Sequence, residues 1–161
     1  MCIDKDVNWI YVIDMQLTLY TDYSLRVLVY LGMRPEQQAT ISEISEAYGI
    51  SRNHLVKVVH NLGQTGYVHT TRGKSGGIRL GMPIDAIVIG EVVRKTEPHM
   101  NLLECFDQEI NTCPIAAACA LKRAIDRARH AFMEVLDGYT LADVLGNRHR
   151  LAQLLMPTPA P

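Results

Sequence analysis

Acidic residues are missing from one continuous stretch of this chain: between Ser51 and Leu80 there is no aspartate or glutamate, while Arg52, Lys57, Arg72, Lys74 and Arg79 are all basic. The formal net charge of −1 conceals this block. A local excess of cations can meet a polyanion although the whole chain is near neutral, because phosphate contacts act through local charge and counterion release. Long apolar runs are also absent, and nothing approaches the roughly 20 residues that a membrane-crossing helix needs. The apolar run from Val7 to Ile13 is too short, follows Asp4, Lys5 and Asp6, and reaches no small-residue cleavage site. No export signal is expected, and a cytoplasmic protein without a membrane partner is.

Catalytic signatures are lacking as well. His54, His60, His69, His99, His130 and His149 are scattered, and no phosphate-loop, His-Glu-x-x-His or nucleophile-elbow pattern occurs. An enzyme is therefore not expected. Close Cys-x-x-Cys pairs, common in structural zinc sites, are missing too. The 161-residue length suits one compact module with an oligomerisation element rather than two enzyme domains.

What is present reads as a mainly α fold with a small β-wing. Residues 1–14 show no period and form an extension of doubtful status before Met15. Leu25, Val27, Leu28, Val29 and Leu31 predict a buried helix over 23–33, capped by Thr21 or Asp22 and stopped by Pro35. Thr40 and Glu43 have capping-box spacing, Gly49 supplies a tight turn, and Ser51 opens a second helix to about Gln64. Leu55, Val58, Val59 and Leu62 repeat on one side of it. Helix, glycine turn, helix is the pattern of a helix-turn-helix.

Two short β-prone runs follow, residues 67–71 and 78–80, joined by Arg72-Gly73-Lys74-Ser75-Gly76-Gly77. A two-stranded wing with a basic, glycine-rich tip is expected, suited to phosphates or a narrow minor groove. On the recognition helix Ser51, Arg52, Asn53, His54 and Lys57 occupy the first turns; with Arg72, Lys74, Ser75 and Arg79 they form the candidate DNA-binding set. Arginine can bond guanine bidentately and asparagine adenine, whereas Lys57 suits phosphate. A winged helix-turn-helix domain over 15–97 is the resulting expectation, with its last helix at 84–95.

The segment 98–119 carries Cys105, Cys113 and Cys119, with Cys113-Pro114 opening a helical stretch that contains Cys119. Three thiolates leave one coordination position for another ligand, and spacing alone fits an iron–sulfur cluster, a zinc site or a thiol switch. From Cys119 to about Tyr139 the residues Leu121, Ala124, Ile125, Ala128, Phe132, Val135, Leu136 and Tyr139 follow helical period. That helix is too long for a small core to hide and suits a partner subunit. Thr140 and Asp143 begin a short terminal helix through another capping box, so 120–155 reads as dimerisation helix plus terminal helix, and 156–161 as a flexible proline-rich tail.

Taken together, Met15-Gln16-Leu17-Thr18, Tyr20-Thr21-Asp22-Tyr23, the run from Tyr48 through Lys57, Gly66-Tyr67-Val68, the wing from Arg72 to Leu80 and Tyr139-Thr140-Leu141-Ala142-Asp143 carry a resemblance. From Met15 to about Leu155 the chain resembles the Rrf-type winged-helix regulators that bear iron–sulfur clusters, in their nitric-oxide-sensitive branch. The resemblance implies a bacterial homodimer on a partly palindromic double-stranded DNA operator. It implies a cluster, 4Fe-4S rather than 2Fe-2S, held by Cys105, Cys113 and Cys119 with a carboxylate from the partner's first helix. That carboxylate matches Asp22, and nitric oxide as signal would nitrosylate the cluster and release the repressor. In the family's regulators of iron–sulfur biogenesis a histidine follows the last cysteine by three residues; here that position is Lys122, which argues against that branch. The gap between Cys105 and Cys113 is also longer than in some relatives. Thiol-dependent, zinc-dependent or other iron–sulfur-sensing regulators on the same scaffold are the alternatives.

Overall fold

The computed structural model describes residues 16–73 and 76–155. The expected extension 1–14, the wing-tip residues Lys74 and Ser75, and the tail 156–161 lie outside the described residues.

The first helix, α1 (Leu19–Met33), begins four residues earlier than its apolar pattern, because Thr18 rather than Thr21 or Asp22 caps it. The Thr18 side-chain oxygen accepts the Thr21 N–H at 3.3 Å. Its own N–H and hydroxyl donate to Glu97 Oε1 at 2.7 and 3.1 Å, tying the helix start to a distant segment. Helix α2 (Ile41–Tyr48) has the expected reciprocal capping box of Thr40 and Glu43, and ends at Gly49, whose φ of 66° is the left-handed conformation that glycine adopts without strain. Helix α3 (Arg52–Gln64) follows after Ser51, which holds the N-cap position without making a side-chain capping bond.

Strands β1 (Val68–Thr71) and β2 (Gly77–Leu80) pair antiparallel with His69 opposite Arg79. The wing is anchored to the body, since Ala39 and Ile78 exchange backbone hydrogen bonds at 2.9 and 2.7 Å.

The single helix expected at 84–95 is instead a 3-10 turn, Ile84–Ala86, followed by α4 (Ile89–Thr96). The cause is tertiary: Leu141 N–H donates to Ile87 C=O at 2.8 Å and Ile89 N–H to Tyr139 C=O at 2.9 Å, so residues 87–89 are drawn out as a strand-like bridge. The long helix α5 (Ala120–Asp137) is capped by Cys119. The helical stretch expected to open at Cys113-Pro114 is a series of turns until Ala120. The terminal helix is two helices, α6 (Leu141–Val144), with the Thr140–Asp143 capping box in place, and α7 (Arg148–Leu155).

One core joins these elements. Val27, Leu28 and Leu31 of α1 pack with Ile44, Leu55, Val58 and Leu62 of the helix-turn-helix, with Tyr67 and Ile78 at the wing base, and with Val92, Leu141 and Leu145. Each such side chain contributes roughly 1.5–3 kcal/mol on burial. Helix α5 stands apart: among its residues only Met133 is buried.

Candidate nucleic-acid interface and cysteine loop

Helix α3 turns Leu55, Val58, Val59 and Leu62 inward and leaves Arg52, Asn53, Val56, Lys57 and His60 exposed on its outer side. Ser51, with no bond to make as a cap, is exposed at the head of the same helix. His54 is exposed, yet its ring stacks on Tyr23 of α1 with centroids 6.0 Å apart. The recognition helix is thereby braced by the scaffold helix. Arg72 is exposed at the wing tip and Arg79 on β2. His69, directly across from Arg79, is exposed beside it and was overlooked in the sequence, although strand alternation from Val68 would have put it on the outer face. Helix and wing thus offer a cationic surface free of acidic side chains between residues 51 and 80.

The cysteine loop spans the approach to α5. Cys105 sits in the 3-10 turn Glu104–Phe106, Cys113 follows in irregular chain, and Cys119 caps α5, its sulfur accepting the Lys122 N–H at 3.4 Å. All three are partly exposed and none forms a disulfide. Their chemistry fits an iron–sulfur group in kind: three soft donors, unpaired, within reach of solvent, on one loop. Among the described residues, however, no three Cys, His, Asp or Glu side chains are gathered as a metal ion would need. The loop presents the donors without drawing them together.

Asp22 lies one turn into α1, where its carboxylate is engaged rather than capping. Arg26 Nε donates to Oδ1 at 3.0 Å and Nη2 lies 2.7 Å from Oδ2. The bond raises the guanidinium pKa further. Arg26 also lies over the ring of Tyr48, at the end of α2, 5.8 Å from its centroid; burial pushes the Tyr48 phenol up to about 12. Asp22 is therefore linked through one side chain to the helix-turn-helix.

At the far end of α5, Arg94 of α4 makes a bidentate pair with Asp137, at 2.6 and 2.5 Å. The pair is exposed and holds the Asp137 carboxyl below the usual carboxylate range. A Cβ on Gly90 would run into the Asp137 side chain and stand 3.0 Å from its backbone nitrogen, so α4 and α5 approach closely there.

A helix-turn-helix followed by a basic wing, with a long helix that finds little cover within its own chain, defines a winged-helix transcriptional regulator. The chain matches the Rrf2 family, iron-dependent transcriptional regulators, over residues 17–147 and belongs to it. It is similar to the HTH-type transcriptional regulator NsrR of Bacillus subtilis, 53% identical over 142 residues that cover 88% of this chain and 97% of that one. The regulator of the same name from Geobacillus kaustophilus is 49% identical, with 88% and 97% covered. Among solved structures, CymR, the global cysteine regulator of B. subtilis, superposes with a TM-score of 0.66 at 28% identity, covering 81% of this chain and 96% of that one. IscR of T. potens, at 21% identity and a TM-score of 0.66 over 84% and 90%, shares the fold. Among the described residues no helix is long and apolar enough to cross a membrane.

Proposed function

We propose that this chain is a cytoplasmic, homodimeric repressor, not an enzyme, that binds a double-stranded operator and is released when nitric oxide reaches an iron–sulfur cluster. The observation that carries this reading is the set of three unpaired, solvent-accessible cysteines at the head of α5, in a chain about half identical to regulators named NsrR.

Cys105, Cys113 and Cys119 supply three thiolates, and Asp22 of the partner subunit a fourth, harder donor. Four such donors can hold a 4Fe-4S cluster, one to each iron. When bound, such a group supplies an iron, weakly held by its carboxylate, that a small diatomic ligand can reach. The side chain that pairs with Asp22, Arg26, lies over Tyr48 at the end of α2. Ligation on α1 is thereby coupled to the pose of the helix-turn-helix, and a coupling of about 1–3 kcal/mol suffices to change occupancy appreciably. On the operator, Arg52 and Asn53 read base edges, with Ser51 and His54 beside them, while Lys57 and Arg79 contact phosphates. Arg72, Lys74 and Ser75 of the wing follow the minor groove.

An absorption spectrum of protein purified without oxygen, before and after nitric oxide, tests the sensor. A brown protein whose sulfur-to-iron bands bleach, together with loss of operator binding in the same sample, is the expected result. A colourless protein despite ample iron and sulfide would move the cysteines to zinc or thiol switching and leave the DNA-binding reading standing.

A further inference from the structure

Residues 104 and 112, each directly before a cysteine, are joined by hydrogen bonds that no sequence motif announces. Glu104 Oε1 accepts the Thr112 N–H at 2.5 Å and the Thr112 hydroxyl at 2.7 Å. We infer that Glu104 and Thr112 form a clasp that sets the separation of Cys105 and Cys113, making them positioning residues for the cluster. The inference rests on the reading of the cysteines given above.

The clasp answers a geometric problem. Eight peptide units separate Cys105 from Cys113, enough to hold them roughly 26–29 Å apart when extended, whereas two ligands of one small group must meet within a few ångströms. Closing such a loop costs conformational entropy that a ligand would otherwise have to offset. With 104 and 112 fixed side by side, that cost is met by the chain itself. Inside the loop, Asp107 Oδ1 accepts the Glu109 N–H and Asn111 Oδ1 the Cys113 N–H, both at 3.0 Å, so the intervening residues are turned rather than extended.

A second contact registers the closed loop on the helix. The ring of Phe106, next to Cys105, has Lys122 Nζ and Arg129 Cζ of α5 each 5.9 Å from its centroid. The two cations are one heptad apart on α5, and Cys119 caps that helix. Clasp and ring together fix the segments that carry Cys105 and Cys113 relative to one another and to the helix that Cys119 caps.

The test is a double-mutant cycle on full-length protein, loaded with iron and sulfide without oxygen. Release of iron to an excess chelator is timed for the parent, Glu104→Ala, Thr112→Val, Thr112→Ser and the Glu104→Ala/Thr112→Val pair. Groups that orient ligands in this way are typically worth 10–100-fold in metal affinity, so Glu104→Ala should speed release by about ten-fold or more. Thr112→Val should have a smaller effect, since its N–H remains; the double variant should match Glu104→Ala; and Thr112→Ser should restore the parent rate. In the metal-free proteins, amide exchange at Thr112 should quicken in Glu104→Ala while the melting temperature stays put, which separates loosened positioning from unfolding. Uptake with unaltered release in Glu104→Ala, or independent effects in the double variant, overturns the inference alone. A parent that takes up no iron and sulfide overturns the reading of the cysteines and this inference with it.

Discussion

Arg52, Asn53 and Lys57 share one outer face of α3 but answer to different physics. A bidentate bond to a base edge discriminates against the wrong base by about 1–3 kcal/mol, whereas a phosphate contact adds affinity without sequence preference and releases counterions. Arg52→Ala and Asn53→Ala are therefore expected to relax specificity at one position each. Lys57→Ala should weaken binding on all sequences and reduce the salt dependence by about one counterion. Titration against operator and scrambled duplexes at several salt concentrations separates the two, and a sequence-selective loss in Lys57→Ala would reverse the assignment. The exposure of these residues on α3 was legible because helical period appears in the sequence itself. Glu104 and Thr112 were not, because a pairing across an aperiodic loop leaves no period to read. The engagement of Asp22 with Arg26 is written in their i, i+4 spacing, although a carboxylate near a helix start also fits a cap.

Among the elements, the capping boxes at Thr40 and Thr140 were readable because the signal lies within four residues, and both formed as expected. The helix at 84–95 was misjudged because its pattern of Ile87, Val88, Val92 and Val93 serves two structures, and pairing of residues 87–89 with 139–141 is invisible until the fold brings them together. The Thr140 box carries a pH dependence. Asp143 is held below the usual carboxylate range by the Thr140 hydroxyl and N–H. A carboxyl with a lowered folded-state pKa contributes stability that is complete above its unfolded value, about 3.9, and is lost as pH falls through the folded value. Asp137, lowered by Arg94, behaves alike. The melting temperature should stay level from neutral pH to about 5 and decline below about 4, with a shallower decline in Asp143→Asn than in the parent; an equally steep decline there would assign the acid sensitivity elsewhere. Where α4 meets α5, Gly90→Ala should cost about 1–3 kcal/mol by overpacking against Asp137, read by urea denaturation.

At the scale of the whole molecule the unsolved surface is α5. Leu121, Phe132, Val135 and Tyr139 are exposed, the first 63% and Val135 61%, and they line up with Ile125 and Ala128 at the alternating three- and four-residue steps of a coiled-coil seam. Eighteen residues make a rod of roughly 27 Å at 1.5 Å per residue, and a single chain leaves its apolar stripe in water. A second copy of the same helix, crossing it in two-fold symmetry, would cover the stripe and set two recognition helices about one DNA turn, roughly 34–36 Å, apart. Val135→Glu places a charge within that seam and, on an exposed position of one chain, leaves the core of the winged-helix domain untouched. Light scattering is therefore expected to find a dimer for the parent and a folded monomer for the variant. Because linking two half-site contacts multiplies affinity by roughly 10²–10⁴, the monomer should bind a full operator little better than a half-site. A variant that stays dimeric and keeps the full operator affinity would place the subunit contact elsewhere.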